Sequence, residues 1–269
     1  MDALVSIHPG KPFQLDQSVE AIANQEHDRV AGPETRAHPC VGNQQMDDGV
    51  SEMARERYGY GRWDAPYWFI GLEEGMGRDE NDDLLPRVDA WRSLGKGELN
   101  DCIEFHNKLG ETRWHRKIPS LQPTWRQLIL LLMAFTQRPT DKDSRRNYQR
   151  DEWGTVRGET CLIELSGISA PNLKTERDRI SFGIERTGVI RERLRTHIPK
   201  FVVMYGTSRR ESWELIAGRA FPPNNMLFEG PTILAVTKHP TSRGSSNVYW
   251  EELAANLRQL AHGSVISRY

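Results

Sequence analysis

The sequence predicts an α/β sandwich of the doubly wound kind, and two observations carry that prediction. Four short apolar runs rich in β-forming residues are spread along the chain, and helical patterns lie between and after them. Near-continuous apolar character over five or six residues marks a strand covered on both faces, as in a parallel sheet. Strands that alternate with helices put helices on both sides of that sheet. In such folds the ligand crevice lies beyond the carboxyl ends of the strands, so the loops after Gly71, Leu165, Tyr205 and Thr237 are the ones to inspect.

In chain order, residues 1–55 are rich in Gln, Asn, Asp, Pro and Gly and poor in large apolar side chains, so a polar, partly disordered arm is expected there, ahead of one domain over 56–269. The first strand is read at 67–71. Residues 78–120 are polar with scattered aromatics and yield no assignable element. A helix over 125–135 follows, with Thr124 and Gln127 at capping-box spacing. The second strand is read at 161–165, a basic amphipathic helix at 184–197 and the third strand at 201–205. Ser208 and Glu211 repeat the capping-box spacing. After the strand at 232–237 comes a last helix near 248–261, with Leu253, Leu257 and Leu260 on one face, Asn247 as its cap, and Glu251 and Glu252 in its first turn.

The 269 residues suffice for one well-buried domain with an appendage. With 37% hydrophobic and 27% charged residues the composition is that of a soluble chain, and its longest apolar run, 128–135, is far below a membrane span. The first ten residues lack signal-peptide character, so a cytoplasmic location is expected. Cys40, Cys102 and Cys161 are odd in number and far apart, which argues for buried thiols rather than a disulfide framework or a four-thiolate metal site. His106, His115 and His197 read as surface residues. The net charge of −1 gives no global attraction to nucleic acid, yet residues 174–210 hold ten Lys and Arg against four acids, either a phosphate-facing surface or a solvated helix face.

Two loops carry candidate chemistry. Gly71-Leu72-Glu73-Glu74-Gly75-Met76-Gly77 bends freely and sets two carboxylates at a strand end, where Glu73 or Glu74 can orient a water or steady a developing cation; an ordinary surface turn would also hold them. Its glycine spacing is not the dinucleotide fingerprint, so no nucleotide cofactor is expected. The second loop, Lys238-His239-Pro240-Thr241-Ser242-Arg243-Gly244-Ser245-Ser246, places a histidine at the end of a buried strand, fixed by the proline after it. Ser242, Ser245 and Ser246 can bond phosphate oxygens, or serve as turn and cap residues. No G-x-S-x-G elbow and no H-E-x-x-H helix occurs, and no metal is expected.

Together, Gly71-Leu72-Glu73-Glu74-Gly75 and the strand ending in His239-Pro240-Thr241-Ser242 resemble the two motifs of the uracil-DNA glycosylase superfamily, in order and spacing, over roughly residues 60–262. The resemblance implies a three-layer α/β/α sandwich with a central four-stranded parallel sheet, and cleavage of the bond between a damaged base and deoxyribose without metal or cofactor. It implies that Glu73 positions the attacking water, with Glu74 in place of the usual Pro. It implies that His239 donates to the base carbonyl as negative charge grows, a role worth about 3 kcal/mol. Glu164 falls where the family reads the base with an Asn, and Ser166 lies beside it. Gly75 replaces a bulky Tyr, so tolerance for several damaged bases is expected. Arg243 stands where some members wedge a Leu into the base stack. Trp91, Phe105 or Tyr249 is expected to stack on the base, and Lys238, Thr241, Ser242, Arg243, Ser245, Ser246 and Arg209 to contact DNA. The iron-sulfur members need four cysteines, and this chain has three.

The expectation is therefore a monomeric, monofunctional base-excision glycosylase that flips uracil or related deaminated bases out of DNA. The alternatives are a lesion-binding member of the fold that does not cut, or an α/β hydrolase acting on a small nucleoside.

Overall fold

The computed structural model describes residues 41–72, 80–167 and 176–266, and residues 41–269 form one compact unit. Helix α1 spans Val41–Glu56, strand β1 Gly59–Gly61, β2 Tyr67–Gly71, α2 Glu80–Ser93, β3 Leu99–Asn100, α3 Cys102–Lys108, α4 Trp125–Phe135, α5 Lys142–Asp151 and β4 Thr160–Glu164. Then come α6 Glu176–His197, β5 Phe201–Tyr205, α7 Arg210–Ala217, β6 Met226–Glu229, β7 Thr232–Thr237 and α8 Asn247–Ile266.

The chain is α/β, with one mixed sheet in the order β3-β1-β4-β2-β5-β7-β6. The sheet has seven strands rather than the four expected. The four runs read from the sequence are its centre, β4-β2-β5-β7, and each neighbouring pair among them is parallel. Antiparallel β1 extends it beyond β4, parallel β3 beyond β1, and antiparallel β6 beyond β7. The Gly-Tyr-Gly of β1 shows no apolar alternation, because its glycines serve close approach instead. Both have positive φ, and a Cβ on Gly59 or Gly61 would lie 2.0 or 2.1 Å from a carbonyl oxygen of β4.

Alternate strand residues enter two cores. Phe69, Leu162, Val203 and Ala235 face α4 and α8, whereas Trp68, Ile70, Ile163, Met204 and Val236 face α6 and α7. Helix α4 is apolar nearly all round and buried from Gln127 to Met133, as suits a helix enclosed between the sheet and α8. Helix α8 presents Leu253 and Leu257 inward as the pattern predicted.

The caps differ from expectation. The Thr124 side chain makes no capping bond; Gln122 Oε1 accepts from the Trp125 N–H instead, and Gln127 is buried, donating to the Ser245 carbonyl. Ser208 lies in a 3₁₀ turn and does not cap α7. Ser246, not Asn247, caps α8, its Oγ accepting from Tyr249 N. The expected boundary near residue 55 also fails: α1 buries Met53 and Ala54, so residues 41–55 belong to the folded unit. The rest of the arm, residues 1–40, lies outside the described residues. Among the described residues no helix is long and apolar enough to cross a membrane.

Candidate functional site at the strand ends

Register brings the carboxyl ends of the central strands level. Gly71 of β2 stands opposite Glu164 of β4, and Tyr205 of β5 opposite Thr237 of β7. All four point to the α4/α8 side, being two residues beyond or in step with Phe69, Leu162, Val203 and Ala235. Glu164 and Tyr205 sit on strands separated by β2, yet Tyr205 Oη donates to Glu164 Oε1 at 3.4 Å. They meet across Gly71 because it has no side chain: a Cβ there would lie 2.2 Å from Tyr205 Oη and 2.7 Å from Glu164 Oε2. The other side of the Tyr205 ring meets His239 edge to face, with centroids 5.5 Å apart. Glu164, Tyr205 and His239 thus form a row along the sheet edge.

Two bonds fix the protonation of His239. The backbone N–H of Thr241 donates to its Nδ1 at 3.3 Å, and Thr241 Oγ1 lies 2.9 Å from the same atom. A backbone N–H can only donate, so Nδ1 is an acceptor and the proton of the neutral ring sits on Nε2. Burial lowers the His239 pKa from its usual value, which keeps the ring neutral. Nε2–H has no partner among the described residues and is a preset neutral donor. The loop is held by its own turn, the Ser242 N–H and Oγ both donating to the His239 carbonyl at 2.9 and 2.7 Å.

Beneath the row, Arg186 of α6 is 1% exposed and donates to the carbonyls of Ala54, Glu164 and Leu165 at 2.8, 2.6 and 2.8 Å, with its guanidinium over the Tyr58 ring. Burial lowers its pKa to about 10. This arginine fixes the end of β4, and with it Glu164. It belongs to the basic stretch read at 174–210, and its neighbours there are also engaged within the fold. Arg193 bonds Glu98, Arg195 lies 3.6 Å from Glu229, and Arg210 bonds Glu214, Asn225 and the Phe221 carbonyl. Among the described residues of that stretch, these four arginines serve as internal ties.

The structure corrects several site expectations. Trp91 and Phe105 are 0% exposed, so neither can stack on a base; Trp91 donates to the Gly97 carbonyl, and the Arg57 guanidinium covers Phe105. Tyr249 bonds Thr237 and lies under the Lys238 ammonium, 4.0 Å from its ring centroid. Lys238 also donates to the Gly244 carbonyl, which ties its ammonium to its own loop. Ser245 Oγ accepts from Trp250 Nε1, and Ser246 Oγ is spent on the α8 cap. Thr241, Ser242, Arg243 and Arg209 are exposed on loops at this edge, and Ser166 is half-buried beyond β4. Glu73, Glu74 and Gly75 lie outside the described residues. Tyr205 was missed by sequence reasoning. Its signal was a polar-tipped aromatic ending an otherwise apolar strand.

His106 and His115 are not surface residues of the kind expected. His106 is buried, and both gather at Cys102, whose Sγ lies 3.5 Å from His106 Nδ1 and 3.9 Å from His115 Nε2. These three ligand-bearing side chains approach closely enough to share a metal ion. However, His106 Nδ1 is 2.7 Å from the Cys102 carbonyl, a bond that a metal at that nitrogen would displace. Burial and the neighbouring His106 lower the His115 pKa to about 4. Cys102 and Cys161 are buried free thiols, as read from the sequence.

No family model and no curated protein matches the chain.

Proposed function

We propose that this protein is a monofunctional DNA glycosylase that hydrolyses the N-glycosidic bond of uracil or related damaged bases extruded from DNA, on a central four-stranded parallel core of the uracil-DNA glycosylase type. The observation that carries this reading is the neutral His239 with its proton fixed on Nε2 at the strand ends. Scission of the bond leaves its electron pair on the base, so a preorganised neutral donor at the base carbonyl stabilises the charge where it develops. A charged imidazolium would lose that proton to the leaving base; a neutral ring holds it. Glu164 and Tyr205, next along the row, offer an acceptor and a hydroxyl to the base edge. Glu73 is assigned the water that adds to the sugar carbon and the steadying of the cationic sugar.

The test uses oligonucleotides carrying uracil, hypoxanthine, xanthine or ethenocytosine, single-stranded and duplex, scored for abasic sites after alkali. Release of more than one base is expected, and His239→Ala and Glu73→Gln should each slow it at least tenfold while leaving the melting temperature near that of the wild type. Binding without abasic product would instead make the protein a lesion binder. Neither binding nor product would point to a small nucleoside substrate.

A further inference from the structure

The loop that begins at His239 ends in the wall of a cavity of about 400 Å³. Three helices start there: α4 lends Arg126 from its first turn, α5 lends Lys142 and Arg145 from its first turn, and α8 lends Asn247 behind its Ser246 cap. The first N–H groups of these helices are already capped, by Gln122, Asp141 and Ser246, so the positive character of the concavity comes from its three cationic side chains. None of the residues lining it is acidic.

Arg145 shows that something is owed an acceptor there. It is 9% exposed, and its Nε and Nη1 are buried with no hydrogen-bond partner. Arg186, buried to a similar degree, has its donors taken by three carbonyls. Burial and the like charge of Arg126 both lower the Arg145 pKa, while Asp141 and Glu251 oppose them. The Asp141 carboxylate is turned to the α5 cap, accepting from Asp143 N, Ser144 N and Ser144 Oγ, and makes no bond to Arg145 among the described residues. Glu251 is exposed on α8. A desolvated cation without acceptors is costly, and an oxyanion in the cavity that Arg145 lines offsets part of that cost through its charge.

We propose that this cavity binds a phosphate group, with Arg145 as its central donor and Arg126 and Lys142 beside it, and that the group is a backbone phosphodiester of the strand whose base is presented to His239. The guanidinium fork suits phosphate oxygens, and the volume falls in the range of small-molecule sites, about 300–1,000 Å³, leaving room for the attached sugar. Residues 239–246 span at most about 24 Å when extended. Two successive turns, Ser242 N to the His239 carbonyl and Ser245 N to the Ser242 carbonyl, shorten that distance, so the phosphate lies within a few nucleotides of the base. The assignment to DNA rests on the function proposed above; the oxyanion site does not.

The experiment uses the full chain, with inorganic phosphate as one probe and undamaged single-stranded and duplex oligonucleotides as the other. Phosphate should raise the melting temperature of the wild type in a dose-dependent way and leave Arg145→Met unmoved. Without phosphate, Arg145→Met should melt at or above the wild type, because it removes an unpaired buried charge. Oligonucleotide affinity should fall at least tenfold in Arg145→Met, and the slope of log affinity against log salt should shrink by about one unit. Arg126→Gln, at an exposed position, should move affinity and slope in the same direction and guards against a folding defect in the first variant. A wild type indifferent to phosphate, with Arg145→Met melting well below it, overturns the site and makes Arg145 a structural residue. A phosphate response with an unchanged salt slope overturns the DNA assignment and leaves a site for a free phosphate compound. A normal slope change without base release keeps this proposal and overturns the glycosylase reading alone.

Discussion

Replacing Gly71 by alanine probes the candidate site at its tightest point. The new methyl would sit 2.2 Å from Tyr205 Oη, 2.5 Å from Tyr205 Cζ and 2.7 Å from Glu164 Oε2, all inside contact distance. Gly71 is extended strand backbone with no positive φ, so the effect is steric and carries no conformational term. Tyr205 is 6% exposed and its ring abuts His239, so it cannot swing aside without moving the row. Forcing an extra carbon into such a space costs about 1–3 kcal/mol. For a folded unit of this size that lowers the melting temperature by roughly 2–12 °C. Urea unfolding of the purified variant should show a lower midpoint with an unchanged slope. The same substitution beside Tyr205→Leu, which removes the ring, should cost less than half as much. Equal midpoints for Gly71→Ala and wild type, or an equal cost in both backgrounds, would refute the idea that Glu164 and Tyr205 meet over Gly71.

Two further outcomes follow from buried groups. Arg186→Met leaves the carbonyls of Ala54, Glu164 and Leu165 without their donor, a loss of about 3–5 kcal/mol in denaturant unfolding. Arg186→Lys should recover only part of it, since one ammonium cannot span the three acceptors, and full recovery by Lys would contradict the clamp. His115, with its pKa lowered to about 4 from 6.5, gives a pH dependence whose sign is fixed. Between those values the unfolded chain takes up a proton that the folded chain refuses. The stability tied to a neutral His115 is therefore complete above pH 6.5 and is lost as pH falls toward 4, by at most about 3 kcal/mol. His115→Gln should flatten the acid limb of stability over that window, and an unchanged limb would show that the ring titrates normally.

The central strands were legible because each is a short apolar run whose pattern needs nothing beyond itself. The run at 67–71 is reproduced as β2, and those at 201–205 and 232–237 as β5 and β7; the run at 161–165 shifts by one residue. The edge strands were not legible. β1 is Gly-Tyr-Gly and β3 is two residues long, and both depend on partners far away in the chain. Capping-box spacing misled at Thr124 and Ser208, since spacing says nothing of whether a competing partner is nearer; Gln127 is drawn to Ser245, more than a hundred residues on. Within the site, His239 was visible from its place after a buried strand. Tyr205 was not, because its role comes from the empty space at Gly71. The aromatics Trp91 and Phe105 failed as candidates for the usual reason that large rings are claimed by the core. Arg145 and its cavity left no local signature at all, for the residues converge from three helices and one loop.

The bond from Thr241 N–H to His239 Nδ1 has one more consequence. The side-chain hydroxyl of Thr241 reinforces the proton's location on Nε2, but the peptide group alone dictates it. A main-chain donor survives every substitution at position 241 except proline. The choice of tautomer is thus insulated from mutation, and the identity of residue 241 is free to drift or to be recruited for other contacts while the histidine keeps its electronic state.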